Sequence, residues 1–275
     1  LLAAWMPLGC ATARESEILR AAQDAASSLK ARVGVAVYDT GNGRAWRYHA
    51  DERFPMASTS KTLVCAALLR RGEPLMSQQV LIRKGDVQSY APVLKHRVGQ
   101  KFSASDLCAI TLRTSDNTAV NAVLDVLGGP SSVTSFLRSM GDRTTRLDRN
   151  EPALNEGTPG DRRDTTTPDA MAETLRRLVL ESVLDEASRM QLREWLIGNE
   201  VAGPLLRASV PTDWRVADRS GAGGFGTRGI AAVMWPPDRD PVVAAIYLTE
   251  TEASLEERNA AIAAIGRAIA NALTP

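Results

Sequence analysis

The chain has 275 residues, a formal net charge of +1, 44% hydrophobic residues and 24% charged residues. This composition is ordinary for a globular protein, and the length suffices for one large domain or two closely packed ones. The basic residues are scattered rather than clustered, so nucleic acid is not an expected partner. No apolar run reaches about 18 residues, so no transmembrane helix is predicted.

Residues 1–13 have the character of the end of a secretory signal peptide. An apolar stretch precedes Ala11-Thr12-Ala13, which fits a small-x-small cleavage site. The sequence therefore predicts an exported, periplasmic protein whose fold begins after residue 13, and an ordinary chain terminus is the alternative. Secretion from the cell, or a lipid anchor at Cys10, is a less favoured reading.

The cysteines are Cys10, Cys65 and Cys108. If Cys10 leaves with the signal peptide, an even pair remains in an oxidising compartment. Cys65 and Cys108 could then form a disulfide that closes a loop of about 43 residues, or stay as two buried thiols.

Hydrophobic periodicity predicts β structure at both ends of the chain and helices between them. A first helix is expected at 15–30, and a capping box at 254–257 begins the last helix. Helices dominate from about 58 to 198. The predicted strands are 32–39, 44–50, 214–218, 229–235 and 242–249.

These elements predict an α/β (α+β) fold with a five-stranded antiparallel sheet flanked by the N- and C-terminal helices. The expected α/β domain comprises residues 14–51 and 199–275, and residues 52–198 form an inserted all-helical domain. The cleft between the two domains is the expected place for a small-molecule site.

Ser58 and Lys61 form a Ser-x-x-Lys pair at the predicted start of an apolar helix. They would lie one turn apart on the same face, where a partly desolvated Lys61 could accept the hydroxyl proton of Ser58. A serine cap beside a solvated lysine is the alternative. The spacing alone is weak evidence, since Ser27 and Lys30 repeat it inside the first helix.

Ser115-Asp116-Asn117 falls in a short turn between two apolar helical stretches. Such a turn can push a hydroxyl and an amide into a cleft. Ser115 would relay a proton to a leaving nitrogen, Asn117 would orient the substrate, and Asp116 would bond nearby backbone. A plain turn with a helix cap is the alternative.

Glu151 and Asn155 lie in a loop rich in charged residues, 142–166. Hydrolysis of an acyl-enzyme needs a base to activate water, and a carboxylate on a rigid loop can supply it, with Asn155 holding the other side of that water. A solvated surface carboxylate is the alternative for a lone Glu.

Arg219-Ser220-Gly221 follows a predicted strand and precedes a glycine-rich run. Arg219 offers a fork suited to a carboxylate, and Arg228 could add a second cation. The backbone N–H groups of Ser58 and Ala222 would make an oxyanion hole. A hairpin turn with solvated arginines is the alternative.

His49 and His96 are the only histidines, and neither stands beside a ligand-like partner. A Ser-His-Asp triad and a histidine-rich zinc site are therefore not expected, and no metal or cofactor is predicted.

The four motifs in this order, with the cysteine pair, resemble the class A serine β-lactamases over nearly the whole chain from about residue 15. The resemblance implies a β-lactamase/transpeptidase-like fold and a monomer acting on small-molecule β-lactams. Ser58 would be the acylated nucleophile and Lys61 its proton carrier, while Ser115 would protonate the lactam nitrogen and Glu151 would activate the deacylating water.

The same resemblance implies further roles. It favours the Cys65–Cys108 disulfide and an ion pair between Arg149 and Asp164 that closes the loop around Glu151. Substrate or water contacts are implied for Tyr90, which would wall the cleft, and for Asn117, Asn155, Arg219, Ser220, Gly221, Ala222 and Arg228.

Arg219 occupies a position where the family usually has Lys. In this respect the chain resembles the carbenicillin-hydrolysing branch, with Arg-Ser-Gly in place of Lys-Thr-Gly. The charge is kept, but Arg is a poor proton donor, so a proton relay through this position is not expected. The resemblance implies turnover of penicillins, including carboxypenicillins, and weak activity on oxyimino-cephalosporins and carbapenems.

Two other functions would use the same serine nucleophile, the same lysine and a cation that binds an anionic substrate. One is a cell-wall DD-peptidase, and the other is a β-lactam sensor that stays acylated. Both lack a dedicated deacylation base, so Glu151 with Asn155 carries the discrimination between them and a hydrolase.

Overall fold

A computed structural model describes residues 8–273, including the side chains of residues 17–273. Of the predicted signal-peptide remnant, residues 1–7 lie outside the described part of the chain, whereas residues 8–13 belong to α1, so the first helix begins before the predicted residue 15. The helices are α1 Leu8–Leu29, α2 Ser60–Arg71, α3 Ala104–Thr114, α4 Asn117–Leu127, α5 Pro130–Ser139, α6 Pro168–Leu180, α7 Glu186–Ile197 and α8 Leu255–Leu273. The strands are β1 Arg32–Asp39, β2 Ala45–Tyr48, β3 Phe54–Pro55, β4 Gln79–Leu81, β5 Lys101–Ser103, β6 Thr165–Thr166, β7 Arg215–Ala222, β8 Arg228–Trp235 and β9 Val242–Thr249.

The main sheet has five antiparallel strands in the order β2-β1-β9-β8-β7. Strands from the two ends of the chain meet where β1 pairs with β9, with Val35 opposite Ile246. This confirms the predicted fold class and the sheet assembled from both ends of the chain.

Alternation along each strand buries both faces of the sheet. Val33, Val35 and Val37 point into a core shared with α1 and α8, whereas Ala36 and Ala245 face a second core built mainly by the central helices. Helix α6 closes this second face by packing against β1, β8 and β9. The site described below lies where the second core meets the end of β7.

The segment between β2 and β7 is helical apart from two short ribbons, β3 with β6 and β4 with β5. Each ribbon has only two or three residues per strand. Strands of this length are too short to produce an alternating sequence pattern, so the sequence predicted only helices here. The boundaries of the two domains remain a prediction.

Two predicted strands need correction. Strand β7 was expected to end at Asp218, but it pairs with β8 as far as Ala222 opposite Arg228, so Arg219 lies within the strand. Strand β2 was expected to reach residue 50 but ends at Tyr48, because His49 adopts a left-handed φ of 44° that breaks the extended backbone.

Cys65 of α2 and Cys108 of α3 form a disulfide, and both are fully buried. The bridge joins two helices of the second core. Within residues 8–273, none of the helices has the length and apolar character needed to cross a membrane.

Candidate active site

Ser58 lies in a short 3-10 turn, Ala57–Thr59, that leads directly into α2. Ala57 holds a positive φ of 44°, which turns the chain sharply just before the serine. Lys61 follows one turn later in α2, as the Ser-x-x-Lys spacing predicted. Ser27 and Lys30, which share that spacing, are exposed at the end of α1.

The ammonium of Lys61 is fully buried and surrounded by oxygen atoms. Its Nζ lies 2.9 Å from Ser58 Oγ, 3.0 Å from Ser115 Oγ, 2.6 Å from Asn117 Oδ1 and 3.1 Å from Glu151 Oε1. The hydroxyl of Ser115 also donates to Ser58 Oγ at 3.1 Å. One nitrogen therefore connects both serines to the carboxylate.

Burial lowers the pKa of Lys61 from 10.5 to about 8. The neighbouring carboxylate of Glu151 opposes this shift, and the cationic Arg219 adds to it. A lysine with this pKa exchanges its proton near neutral pH, and its Nζ is already within hydrogen-bond distance of the Ser58 hydroxyl.

Ser115 and Asn117 reach the cleft because the turn between α3 and α4 is tightly held. Ser115 takes a left-handed φ of 64° at the end of α3. Asp116 caps α4 by accepting from Ala119 N, and its other oxygen accepts from the backbone N–H groups of residues 93 and 94. Asp116 thus has the backbone-binding position that the sequence predicted for it.

Glu151 is buried, with 3% of its surface exposed, which excludes the alternative of a solvated carboxylate. Asn121 of α4 fixes its backbone from both sides, donating to Glu151 O at 2.8 Å and accepting from Glu151 N at 2.9 Å. Asn155 Nδ2 donates to Glu151 Oε2. The carboxylate therefore has its two oxygens directed to Lys61 and to Asn155.

Charged contacts tie the two ends of the loop 142–166 together. Arg149 Nε lies 2.6 Å from Asp164 Oδ2, and the other oxygen of Asp164 accepts from the backbone N–H groups of Asp148 and Arg149. Arg149 also pairs with Glu156 further along the loop. The Arg149–Asp164 pair expected from the resemblance is present.

Gly221 allows β7 to pass very close to the nucleophile. A Cβ at this position would lie 2.8 Å from both Met56 O and Ser58 N, so only glycine fits without moving the backbone. Beyond β7, Gly224 N donates to Asn155 O at 2.8 Å, which joins this strand end to the loop of Glu151.

Arg219 is a buried arginine with 1% of its surface exposed. Its Nε donates to Ser58 O and its Nη1 donates to Asn199 Oδ1. Its Nη2 has no partner among the described residues. Burial lowers the pKa of Arg219 to about 10, with partial opposition from Asp218.

Arg228 is also buried, and both of its contacts are neutral oxygens. Its Nε donates to Asn259 Oδ1 at 2.8 Å and its Nη1 to Gly221 O at 3.2 Å. Burial, and to a lesser extent Arg258, lowers the pKa of Arg228 to about 10. Two cations therefore stand at the end of β7, so the alternative of solvated arginines does not hold.

A cleft of about 350 Å³ opens beside Ser58 and Ser115, while Lys61 and Glu151 lie beneath its floor. This volume suits a small molecule. Tyr90 is half exposed at the wall of the cleft. The cleft is lined by the predicted substrate contacts Tyr90, Asn117, Asn155, Arg219, Ser220, Gly221, Ala222 and Arg228.

Several residues of the site escaped the sequence analysis. Val201 and Leu255 line the cleft, and Asn199 and Asn259 hold the two arginines. No local motif marks these four positions. Asn121 follows Asn117 by one helical turn, and that spacing could have placed both amides on the face of α4 that meets the loop.

The comparisons with known proteins agree with this geometry. A family model described as "Beta-lactamase enzyme family" matches residues 15–273. The beta-lactamase PSE-4 of Pseudomonas aeruginosa is 50% identical over 250 residues, covering 90% of this chain and 87% of that protein. The beta-lactamase AER-1 of Aeromonas hydrophila is 44% identical and covers 100% of this chain and 92% of that protein.

Solved structures of class A beta-lactamases superpose closely on the fold. An ancestral class A beta-lactamase gives a TM-score of 0.89 at 47% identity and covers 92% of this chain and 98% of that chain. The chromosome-encoded beta-lactamase of Vibrio parahaemolyticus gives 0.88 at 43% identity, covering 90% and 97%. The chain therefore belongs to the beta-lactamase enzyme family and has the class A fold.

Proposed function

We propose that the chain hydrolyses the β-lactam amide of penicillins, including carboxypenicillins, through an acyl-enzyme on Ser58. The observation that carries this proposal is the position of Lys61 Nζ, within 3.1 Å of Ser58 Oγ, Ser115 Oγ and Glu151 Oε1. A nucleophile, a relay hydroxyl and a carboxylate base are thus joined by one amine.

In acylation, neutral Lys61 accepts the proton of Ser58 while the Ser58 oxygen attacks the lactam carbonyl carbon. The backbone N–H groups of Ser58 and Ala222 stabilise the negative oxygen of the tetrahedral intermediate. The C–N bond then breaks, and Ser115 passes a proton from Lys61 to the leaving nitrogen. The short contacts among Lys61, Ser115 and Ser58 support this route.

In deacylation, Glu151 accepts a proton from a water that attacks the ester carbonyl. Asn155 orients this water together with Glu151. The support is geometric, because both residues sit on one loop with their side chains hydrogen-bonded to each other beside the cleft.

Arg219 binds the carboxylate of the substrate, with Arg228 as a second cation, and Tyr90, Asn117 and Ser220 hold the remainder of the molecule. Within the protein, Arg219 donates hydrogen bonds to neutral oxygens. No carboxylate accepts from its guanidinium among the described residues, so the guanidinium can pair with an anionic ligand. Arg219-Ser220-Gly221 supports the proposal that the chain belongs to the carbenicillin-hydrolysing branch. We also propose a periplasmic location and a monomeric state.

A hydrolysis panel tests the proposal. Benzylpenicillin and carbenicillin should be turned over efficiently, and an oxyimino-cephalosporin slowly. A DD-peptidase would instead release D-alanine from a peptide ending in D-Ala-D-Ala, and a sensor would remain acylated after one equivalent. Either result would contradict the proposed hydrolase.

A further inference from the structure

A second cavity lies beneath the loop that carries Glu151, and none of its lining residues lines the catalytic cleft. Its volume is about 140 Å³, and its lining includes Arg32, Arg53, Thr158, Asp161, Arg162 and Glu250. We call it the loop cavity. Arg53 belongs to the body of the protein, and Arg162 to the loop itself, so the cavity separates two cations on two different parts of the fold.

Arg53 forms no ion pair at contact distance among the described residues, and Asp142 acts on it only at longer range. Its Nη1 donates to Thr144 O and to Thr165 Oγ1, both at 3.0 Å. Its Nε and Nη2 donate to no protein atom within residues 17–273. A partly buried guanidinium whose Nε and Nη2 are free is a strong donor for an oxyanion.

Arg162 is exposed at the mouth of the loop cavity, and its guanidinium contacts no carboxylate in the described part of the chain. The two arginines repel each other across the space. Burial lowers the pKa of Arg53, the charges of Arg162, Arg146 and Arg138 lower it further, and the carboxylate of Asp142 opposes this shift. Two arginines without a carboxylate partner therefore face the same cavity.

The carboxylates that line the loop cavity do not cancel this charge. Asp161 accepts from Arg163 Nε, whose single N–H is shared between the two carboxylate oxygens, and from Arg163 Nη2. Glu250 is paired with Arg32 at 2.7 Å. Three arginines and two carboxylates line the cavity, and Arg53 and Arg162 are the arginines that make no ion pair within the described residues.

We propose that the loop cavity binds an inorganic tetrahedral oxyanion of the phosphate type between Arg53 and Arg162. A water occupies about 30 Å³ of liquid, so the cavity has room for on the order of five heavy atoms. That matches the size of a free inorganic ion. The bound ion replaces the repulsion between Arg53 and Arg162 with attraction to both, and so adds to the contacts that already hold the loop of Glu151.

Thermal unfolding in inorganic phosphate, against sodium chloride at equal ionic strength, tests this site. The midpoint of the wild-type protein should rise by about 2–4 °C at saturating phosphate. Arg162→Ala should lose this increment while keeping the basal hydrolysis rate, because Arg162 contacts neither the cleft nor the catalytic groups. Arg71→Ala, an equal loss of charge at the exposed end of α2, should keep the increment.

Phosphate could also bind the cations of the catalytic cleft, and Arg219→Ala separates the two sites. An ion in the loop cavity still raises the midpoint of Arg219→Ala. The proposal is overturned if phosphate has no effect beyond that of chloride, if Arg162→Ala responds like wild type, or if the effect disappears in Arg219→Ala. These readouts do not depend on β-lactam turnover, so they stand apart from the proposed function.

Discussion

Lys61 and Glu151 form an ion pair in which neither side chain is exposed. For Lys61 to act as a base it must first be neutral, so acylation should speed up as the pH rises through its pKa of about 8. The carboxylate of Glu151 raises this pKa, and its removal must therefore lower it.

Single-turnover acylation by Glu151→Gln measures this coupling. The pH at which the acylation rate of Glu151→Gln is half-maximal should lie below the pH at which kcat/KM of the wild type is half-maximal. The reason is that glutamine, unlike the carboxylate, does not stabilise the ammonium form of Lys61. A half-maximum that stays in place or moves to higher pH would show that Lys61 does not accept the proton of Ser58.

Arg219 can be tested as the carboxylate anchor by two substitutions at one position. Arg219→Ala removes a charged hydrogen-bond donor and should lower kcat/KM for benzylpenicillin by about 10- to 100-fold. Arg219→Lys keeps the charge but loses the fork, so it should lose less. Equal kcat/KM values for the two variants would rule out an anchor role.

At the scale of elements, the loop 142–166 positions the base that the proposed deacylation requires. The Arg149–Asp164 pair joins the two ends of the loop, and Asn121 binds the backbone of Glu151 from α4. An error of about 1 Å in a catalytic group can cost on the order of 100-fold in rate. The loop contacts should therefore affect deacylation more than acylation.

Arg149→Ala should slow deacylation by about 10- to 100-fold and leave acylation within a few-fold, because Glu151 is no longer held in place. Stopped-flow measurement of the two steps checks this. Arg163→Ala is the matched control, since Arg163 is exposed and, within the described residues, its ion pair is with Asp161 of the same loop. An Arg149→Ala enzyme with a normal deacylation rate would refute the coupling.

At the scale of the whole molecule, two cores on opposite faces of one sheet are joined through the strands, and the disulfide reinforces the second core. Cys65 and Cys108 are 43 residues apart in sequence. Closing a loop of that length contributes about 4 kcal/mol on the chain-entropy estimate. Removal of the bridge should lower global stability without moving the catalytic groups.

The double variant Cys65→Ala/Cys108→Ala should therefore unfold in urea with a free energy of unfolding lower by about 4 kcal/mol. Wild-type protein reduced with dithiothreitol provides the control and should fall by a similar amount. A loss below about 1 kcal/mol in both would mean that the bridge does not restrain the unfolded chain.

The sequence predicted those parts of the fold whose patterns are long. Strands β1 and β9 have the predicted bounds, and Ser254 and Glu257 form the predicted capping box before α8. The end of β7 was missed because the approach of Gly221 to Ser58 is a tertiary contact, which a glycine-rich run does not distinguish from a turn.

In the candidate site, too, the features that depend on local sequence patterns were predicted and the tertiary contacts were not. Its motifs located the residues that line the cleft, because each motif carries a reactive or charged group at a turn or helix start. The burial of Glu151 and the contacts of Asn199 and Asn259 with the arginines depend on segments far apart in sequence. The periodicity of a single sequence does not predict contacts between segments that are far apart along the chain.

Mass spectrometry after addition of benzylpenicillin tests the central claim most directly. Wild-type protein should return to its original mass as hydrolysed product accumulates. Glu151→Gln should keep the mass of one penicilloyl group on Ser58, because loss of a general base slows deacylation by about 100- to 10,000-fold. Glu186→Gln, an exposed carboxylate at the start of α7, should behave like wild type. A Glu151→Gln enzyme with normal steady-state hydrolysis and no accumulated adduct would contradict the account.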